Sequence, residues 1–217
     1  MKLKTVSRWF FVMVLVALMA NFAFLMLIRQ AYVSAESAVQ RRTDTLRLVS
    51  ALQHETALLR RLVSAYTATG DPRYLLYYYD VLAIREGSKP QPDVDDQSLY
   101  WEEVVAGRRA HHLPDGRKGI PLLSRMQALD ISSDEVRALN RVLEASERLK
   151  KTEQVAFAAT QGLYDRVHQA YVSDGIPDLK YASELVHAPA YEAQSADLAK
   201  AVAFLSLATD ARTAAAR

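Results

Sequence analysis

An apolar run near the N-terminus constrains the fold of this chain more than any other feature. Residues Trp9–Ile28 read WFFVMVLVALMANFAFLMLI, without a charge and with Asn21 as the single polar interruption. A hydrocarbon core of about 30 Å needs about 20 apolar residues in helical conformation. The run therefore predicts a transmembrane helix over residues 9–28.

Three basic residues before this run predict its orientation. Lys2, Lys4 and Arg8 favour a cytoplasmic N-terminus at residues 1–8, because basic segments stay on the cytoplasmic side. The remainder would then lie in the periplasm, anchored in a bacterial inner membrane. A cleaved signal peptide is the alternative, with VSA at residues 33–35 as its cleavage site. The run exceeds the 7–15 residues of a signal peptide core, which favours an anchor.

Composition and motifs exclude several function classes. Lys and Arg number 27 against 25 Asp and Glu, so nothing indicates a nucleic-acid partner. The absence of cysteine excludes disulfides and thiol catalysis. The sequence also lacks a glycine-rich phosphate loop, GxSxG and HExxH. We expect no catalysis, cofactor or metal within this segment.

Glycine, proline and a capping aspartate predict where the first helices begin and end. Residues 35–69 contain no Gly or Pro, and Gly70 ends that helix. Asp71 is a predicted N-cap followed by Pro72 in the first helical position. This second helix is predicted to end near Glu86. Residues 88–119 form an irregular excursion, with short helices near SLYWEEVVAG and after Pro121.

The second half of the chain is also predicted to be helical. Ser132 and Glu135 have the spacing of a capping box, and the helix that they begin is predicted to reach about Tyr171 through Gly162. The segment SDGIPD at residues 173–178 ends this helix. A short helix is predicted next, ending near HAPAY, and a last helix is predicted over residues 189–217. No strand alternation is visible. The prediction is an all-α fold.

Apolar residues recur with the three-four spacing of packed helices. Three rows of residues with this spacing occur in the sequence, and each is called a seam. The first two seams each include a glutamate, and the third has smaller residues. The first contains Leu48, Leu52, Glu55, Leu59, Leu62 and Tyr66. The second contains Leu139, Val142, Ser146, Leu149, Glu153, Ala156, Thr160, Leu163 and Val167. The third contains Leu198, Ala201, Leu205 and Ala208. Three such seams predict an elongated antiparallel four-helix bundle over residues 35–217, joined to the transmembrane helix.

The polar seam residues Glu55, Ser146 and Glu153 interrupt otherwise apolar faces. A buried carboxylate must be paired or hydrogen-bonded, so Glu55 or Glu153 is expected to be partly buried and paired across helices. The nearest arginines in the sequence are Arg60, Arg61 and Arg148. A solvated edge is the alternative for both glutamates.

The segment TATGDPRYLLYYYDVLAIREGSKP carries unusual aromatic density. Tyr77, Tyr78 and Tyr79 point about 100° apart on a helix, so one face cannot bury all three. Helix aromatics are more often core, yet an aromatic patch beside arginines suits a small organic ligand. The candidate ligand-binding residues are Arg73, Tyr74, Tyr77, Tyr78, Arg85, Tyr100 and Trp101.

The histidines do not favour a metal site, since one at His111 and His112 would need loop geometry and ligands from elsewhere in the chain. Adjacent His111 and His112 do not face one direction on a helix, and their loop GRRAHHLPDGRKG is expected to be solvated. His54, His168 and His187 stand alone and are expected at the surface or at helix caps.

The run ETALLRRLVSAYTATGDPRYLLYY resembles the CHASE-like helical sensory regions of bacterial histidine kinases, nucleotide cyclases and chemoreceptors. The matching residues are Glu55, Arg61, Tyr66, Thr69, Gly70, Asp71, Tyr74 and Leu75. Further similar segments are YYYDVLAIREGSKPQP, LYWEEVVAG, IPLLSRMQALDISSDEV and SERLKKTEQVAF, so that the resemblance covers most of residues 35–217. In such proteins a second membrane helix and an output domain follow.

The resemblance implies an extracytoplasmic sensory input module, most often of a histidine kinase, that acts as a homodimer. Its stimulus would be a small periplasmic ligand or an envelope protein. Two alternatives are a non-signalling membrane-anchored adaptor or envelope scaffold, and a cleaved, secreted binding protein. A second hydrophobic span after Arg217 would favour the sensor.

Overall fold

The computed structural model describes residues 3–129 and 131–215. Within these ranges it does not describe the side chains of residues 3–12, 14, 16, 17, 20, 31, 33–39, 41, 42 and 212–215. The predicted cytoplasmic residues 1–8 and part of the predicted span 9–28 therefore lie outside the described side chains. Among the residues that were described, no helix has both the length and the apolar character needed to cross a membrane.

The described chain is mostly helical, as predicted. Its helices are α1 (Leu3–Thr69), α2 (Pro72–Glu86), α3 (Gln97–Val105), α4 (Leu122–Gln127), α5 (Ser133–Gln161), α6 (Leu179–Val186) and α7 (Pro189–Ala215). Two short strands, β1 (Tyr164–Asp165) and β2 (Ala170–Tyr171), pair antiparallel. The expectation of no strand is therefore wrong for this segment.

The chain divides into two compact units, Met1–Asp44 and Thr45–Arg217. In the first unit, the described residues belong to the N-terminal part of α1, and apolar side chains such as Phe22 and Leu25 are exposed. The second unit contains the rest of α1, every other element and the buried core.

Local capping residues begin α2 and α5 where the sequence predicts. The Asp71 carboxylate accepts from the backbone N–H of Arg73 at 3.0 Å, and Pro72 occupies the first turn. At α5, the Ser132 hydroxyl accepts from the Glu135 N–H at 3.2 Å, and the Glu135 carboxylate accepts from the Ser132 N–H at 2.7 Å. Both predicted caps are confirmed.

The predicted continuation of α5 to Tyr171 is wrong. Gly162 adopts a left-handed conformation with φ 75°, and α5 ends at Gln161. A Cβ on Gly162 would lie 2.6 Å from the backbone oxygen of Gly175. The left-handed backbone and the close approach both require glycine at this point, and the residues that follow form the β1–β2 hairpin. Leu163 and Val167, predicted on the α5 seam, lie beyond the helix.

Side-chain contacts give the directions of the long helices. Glu153 of α5 meets Tyr191 at the start of α7, whereas Arg141 near the start of α5 packs over Phe204 further along α7. Therefore α5 and α7 run antiparallel.

Helix α1 runs in the same direction as α5. Arg85 of α2 bridges Glu55 of α1 and Ser146 of α5, and further along both helices Tyr66 packs edge-on against Phe157 with centroids 5.5 Å apart. It follows that α1 and α7 are antiparallel.

The core of the second unit includes most of the apolar residues of the predicted seams, together with residues of α2, α3, α4 and α6. Buried members on α1 are Leu52, Leu59, Leu62 and Tyr66. Those on α5 include Leu139, Val142, Leu149 and Ala156, and those on α7 include Leu198 and Leu205. The three-four spacing therefore identified which helix faces are buried.

Candidate functional site

A groove of about 640 Å³ lies along α1 and α7, with Leu149 of α5 also in its wall. Most of its surface is apolar. Its residues are Gln53, Thr56, Ala57, Arg60, Arg61, Val63, Ser64, Leu149, Val186, His187, Tyr191, Glu192, Ser195, Leu198, Ala199, Val202 and Ala203. The volume is within the range of about 300–1,000 Å³ typical of small-molecule sites.

Charged residues gather at one part of the groove. Arg60 Nη2 donates to both carboxylate oxygens of Glu192 at 2.7 Å, and both side chains are about half exposed. Arg61 also lines the groove, and within the described part of the chain no ion pair is found for it. Since Glu192 compensates Arg60, the described residues leave the positive charge of Arg61 in the groove without a neutralising partner.

Ser195 contributes a polar group to the apolar wall. Its Oγ is shielded from solvent and has no hydrogen-bond partner among the described residues. An unpaired buried hydroxyl costs about 1–3 kcal/mol. A ligand with a polar atom in the groove could satisfy it.

Tyr191 connects the groove to a buried carboxylate. Its hydroxyl donates to Glu153 Oε1 at 2.9 Å, and the Tyr78 hydroxyl donates to Glu153 Oε2 at 2.5 Å. All three side chains are buried. The chain of hydrogen bonds therefore runs from the groove through α5 to α2.

Burial shifts the pKa of each member of this group. Desolvation raises the pKa of Glu153, and the two tyrosine hydroxyls oppose this by stabilising the carboxylate. Desolvation also raises the pKa of Tyr78 and of Tyr191, and the neighbouring Glu153 charge adds to both shifts.

The other seam glutamate is paired with an arginine. Arg85 Nε donates to Glu55, and Arg85 Nη1 donates to the Ser146 hydroxyl at 2.8 Å. Arg85 is only 7% exposed. The expectation of cross-helix pairing agrees with this geometry, but the partner differs, since the nearest arginine in sequence, Arg60, pairs with Glu192.

A second polar group lies beneath the irregular excursion. His111 Nε2 is 2.8 Å from Asp80 Oδ2, and His111 Nδ1 is 2.9 Å from the Tyr100 hydroxyl. Lys89 pairs with the other oxygen of Asp80. The rings of Tyr77 and Trp101 contact His111 with centroids 5.1 and 5.0 Å away.

The expectation of a solvated loop is therefore wrong at His111, whose side chain is 10% exposed. A loop has no hydrophobic period that would reveal a buried histidine. Within the described side chains, no group of three or more His, Asp or Glu is arranged to hold a metal ion. His54 and His187 are exposed and contact backbone carbonyls, and exposed His168 contacts Asp165.

The structure does not place the seven candidate ligand-binding residues in one site, although it brings Tyr77, Tyr100 and Trp101 together around His111. Five are buried: Tyr77, Tyr78, Arg85, Tyr100 and Trp101. Arg73 is exposed and pairs with Asp71 at 2.6 Å, and Tyr74 is half-buried. They do not form one exposed aromatic patch, because α3 and the loop cover part of α2. A ligand-binding role for these residues stays a prediction. The groove along α1 and α7 was not found from the sequence.

Comparison with known proteins gives no match, whether with family models, with characterised proteins or with solved structures.

Proposed function

We propose that the chain is the extracytoplasmic sensory input module of a membrane-bound signalling protein, with a histidine kinase as the favoured output. One observation carries the proposal: a ligand-sized groove lies along α1 and α7, and its residue Tyr191 is hydrogen-bonded through Glu153 to α2. Helix α1 also contains the residues of the predicted membrane span. One helix therefore carries both the predicted anchor and part of the groove wall.

The proposed mechanism is a change of balance between two packing states. The parts of α1, α2, α5 and α7 in the second unit would act as a four-helix bundle, and a homodimer would pass a small shift of α1 against α7 to paired outputs. A ligand shifts such a balance only through its different affinity for the two states. The polar residues Glu55, Ser146 and Glu153 cost stability relative to a wholly apolar seam. This cost makes the energy minimum of any one packing shallower, which favours a balance between two states.

A second candidate function is a membrane-anchored adaptor or envelope scaffold. The β1–β2 segment favours it, because Val167, Tyr171 and Ile176 are 78%, 64% and 88% exposed. Neighbouring exposed apolar side chains are typical of protein contact surfaces. In this case the groove would be incidental to function.

The proposed topology predicts the outcome of reporter fusions in bacteria. Alkaline phosphatase fused after Thr43 should be active, because the basic residues before the apolar run retain the N-terminus in the cytoplasm. The same reporter fused after Arg8 should be inactive. A cytoplasmic reporter that is active after Thr43 would contradict both the sensor and the periplasmic adaptor.

The sensor proposal predicts that filling the groove changes an attached output. Residues 1–217 would be joined to the second membrane helix and kinase part of a bacterial histidine kinase that drives a reporter gene. We expect Ala199→Trp to change reporter activity about threefold or more, which needs a shift of less than about 1 kcal/mol between two states. Ala199 is exposed and lines the groove.

The matched control is Ala196→Trp, since Ala196 is an exposed alanine of the same helix outside the groove lining. It should leave reporter activity unchanged. If both substitutions leave the output unchanged although the chimera is present in the membrane, the adaptor becomes the better explanation.

A further inference from the structure

We propose that the groove along α1 and α7 binds an organic monocarboxylate, a molecule with an apolar body and one negative charge; its role as stimulus rests on the proposed function. The charges of the groove support this class. Glu192 compensates Arg60, and among the residues that the structure describes Arg61 has no ion-pair partner. A carboxylate is the complementary organic anion for a guanidinium.

The apolar end of the groove would receive the body of the ligand. Because α1 and α7 are antiparallel, moving away from the Arg60–Glu192 pair leads to Ala57 on α1 and to Ala199 and Ala203 on α7. Small side chains leave space there, and apolar Leu198 and Val202 complete the wall. Apolar contact favours a hydrocarbon or aromatic body over a polar one.

Ser195 supplies a hydrogen-bonding group between these two parts. Ser195 lies on α7 one turn beyond Glu192 and lines the groove, and its solvent-shielded Oγ has no hydrogen-bond partner within the described part of the chain. A second polar atom of the ligand, or the second carboxylate oxygen, would satisfy this hydroxyl. The groove therefore combines a cation, a hydrogen-bonding group and an apolar wall, the usual composition of a small-molecule site.

The test uses the whole chain in phospholipid nanodiscs and three probes with one apolar body: 4-phenylbutyrate, 4-phenylbutanol and 4-phenylbutylamine. Saturation-transfer NMR titrations, corrected with empty nanodiscs, give the dissociation constants. We expect the carboxylate to bind about fivefold more tightly than the alcohol, in line with one partly exposed ion pair. The ammonium should bind most weakly.

Arg61→Gln should remove the preference for the carboxylate and leave the affinity for the alcohol unchanged. Arg148→Gln is the matched control, because Arg148 is an exposed arginine outside the groove lining. Ala199→Trp should weaken binding of all three probes, whereas Ala196→Trp should not.

Three results would overturn the ligand class. These are equal affinity for the carboxylate and the alcohol, binding that Ala199→Trp does not weaken, and the absence of binding by all probes. A concentration-dependent dimer that Ala199→Trp abolishes would instead assign the groove to a second copy of the chain. If any of these results occurs while Ala199→Trp still changes the chimera's output, the monocarboxylate proposal fails and the sensor proposal stands.

Discussion

Replacing Arg85 by methionine is expected to lower the free energy of unfolding by about 3–5 kcal/mol, the usual cost of removing one partner from a buried ion pair. Arg85 is 7% exposed and donates hydrogen bonds to Glu55 and Ser146. Methionine fills a similar volume but cannot donate, so Glu55 would keep its charge without this partner. The bridge between α1, α2 and α5 would also be lost.

Urea unfolding of the whole chain, followed by Trp101 fluorescence in a Trp9→Phe background, measures this change. The double variant Arg85→Met with Glu55→Leu should recover a large part of the loss, because it leaves no unpaired carboxylate. Such recovery separates the ion pair from a simple packing defect.

Arg60→Met provides the matched control. Arg60 also pairs with a glutamate on another helix, but its side chain is 53% exposed and that of Glu192 is 45% exposed. An exposed pair contributes about 0–1 kcal/mol. If Arg85→Met costs no more than Arg60→Met, the buried pair does not stabilise the second unit.

The correct sequence predictions concern features determined over short distances along the chain. The Asp71 cap and the Ser132–Glu135 capping box are formed by groups within three residues of each other. The seams also depend only on the helical period, which identifies a face before its partner is known. These local rules were sufficient for the helix starts at Pro72 and Ser133.

The errors concern contacts between residues that are distant in sequence. Gly162 was predicted within the helix, but it caps α5 in a left-handed conformation, and the backbone of the distant Gly175 lies against it. Glu55 pairs with Arg85 of the next helix rather than with the nearby arginines. The helical period indicates whether a side chain is buried, but it does not indicate which residue that side chain contacts.

The groove could not be predicted because it is a property of two helices together. The third seam was recognised as one of small residues, but the groove also depends on the small Ala57 of α1, which lines it together with Ala199 and Ala203 of α7. An alanine that faces a larger side chain would leave no space. The sequence does not state which residues face each other.

Glu153→Leu is expected to lower the free energy of unfolding by about 2–4 kcal/mol. The substitution leaves the buried hydroxyls of Tyr78 and Tyr191 without their acceptor, and each unsatisfied group costs about 1–3 kcal/mol. Removing a desolvated carboxylate offsets part of this cost. Glu153→Gln retains one oxygen acceptor, so it should lower the free energy of unfolding by less than Glu153→Leu. Because glutamine does not ionise, this variant is also the reference for the effect of the Glu153 charge.

The raised pKa of Glu153 predicts how the free energy of unfolding depends on pH, and comparison with Glu153→Gln isolates this effect. Burial raises the pKa of Glu153 in the folded chain above its ordinary value of 4.5, although Tyr78, Tyr191 and the charges of Arg85 and Lys150 oppose the shift. The contribution of Glu153 is therefore fully present below pH 4.5 and is lost as the pH rises through the folded-state pKa. The free energy of unfolding of the native chain should fall relative to that of Glu153→Gln over this interval.

Urea titrations at a series of pH values on both proteins measure this difference, and subtraction removes the titrations that they share. The predicted direction distinguishes desolvation from hydrogen bonding as the dominant influence on Glu153. If the native chain instead gains stability relative to Glu153→Gln as the pH rises, the two tyrosine hydroxyls stabilise the carboxylate by more than burial destabilises it.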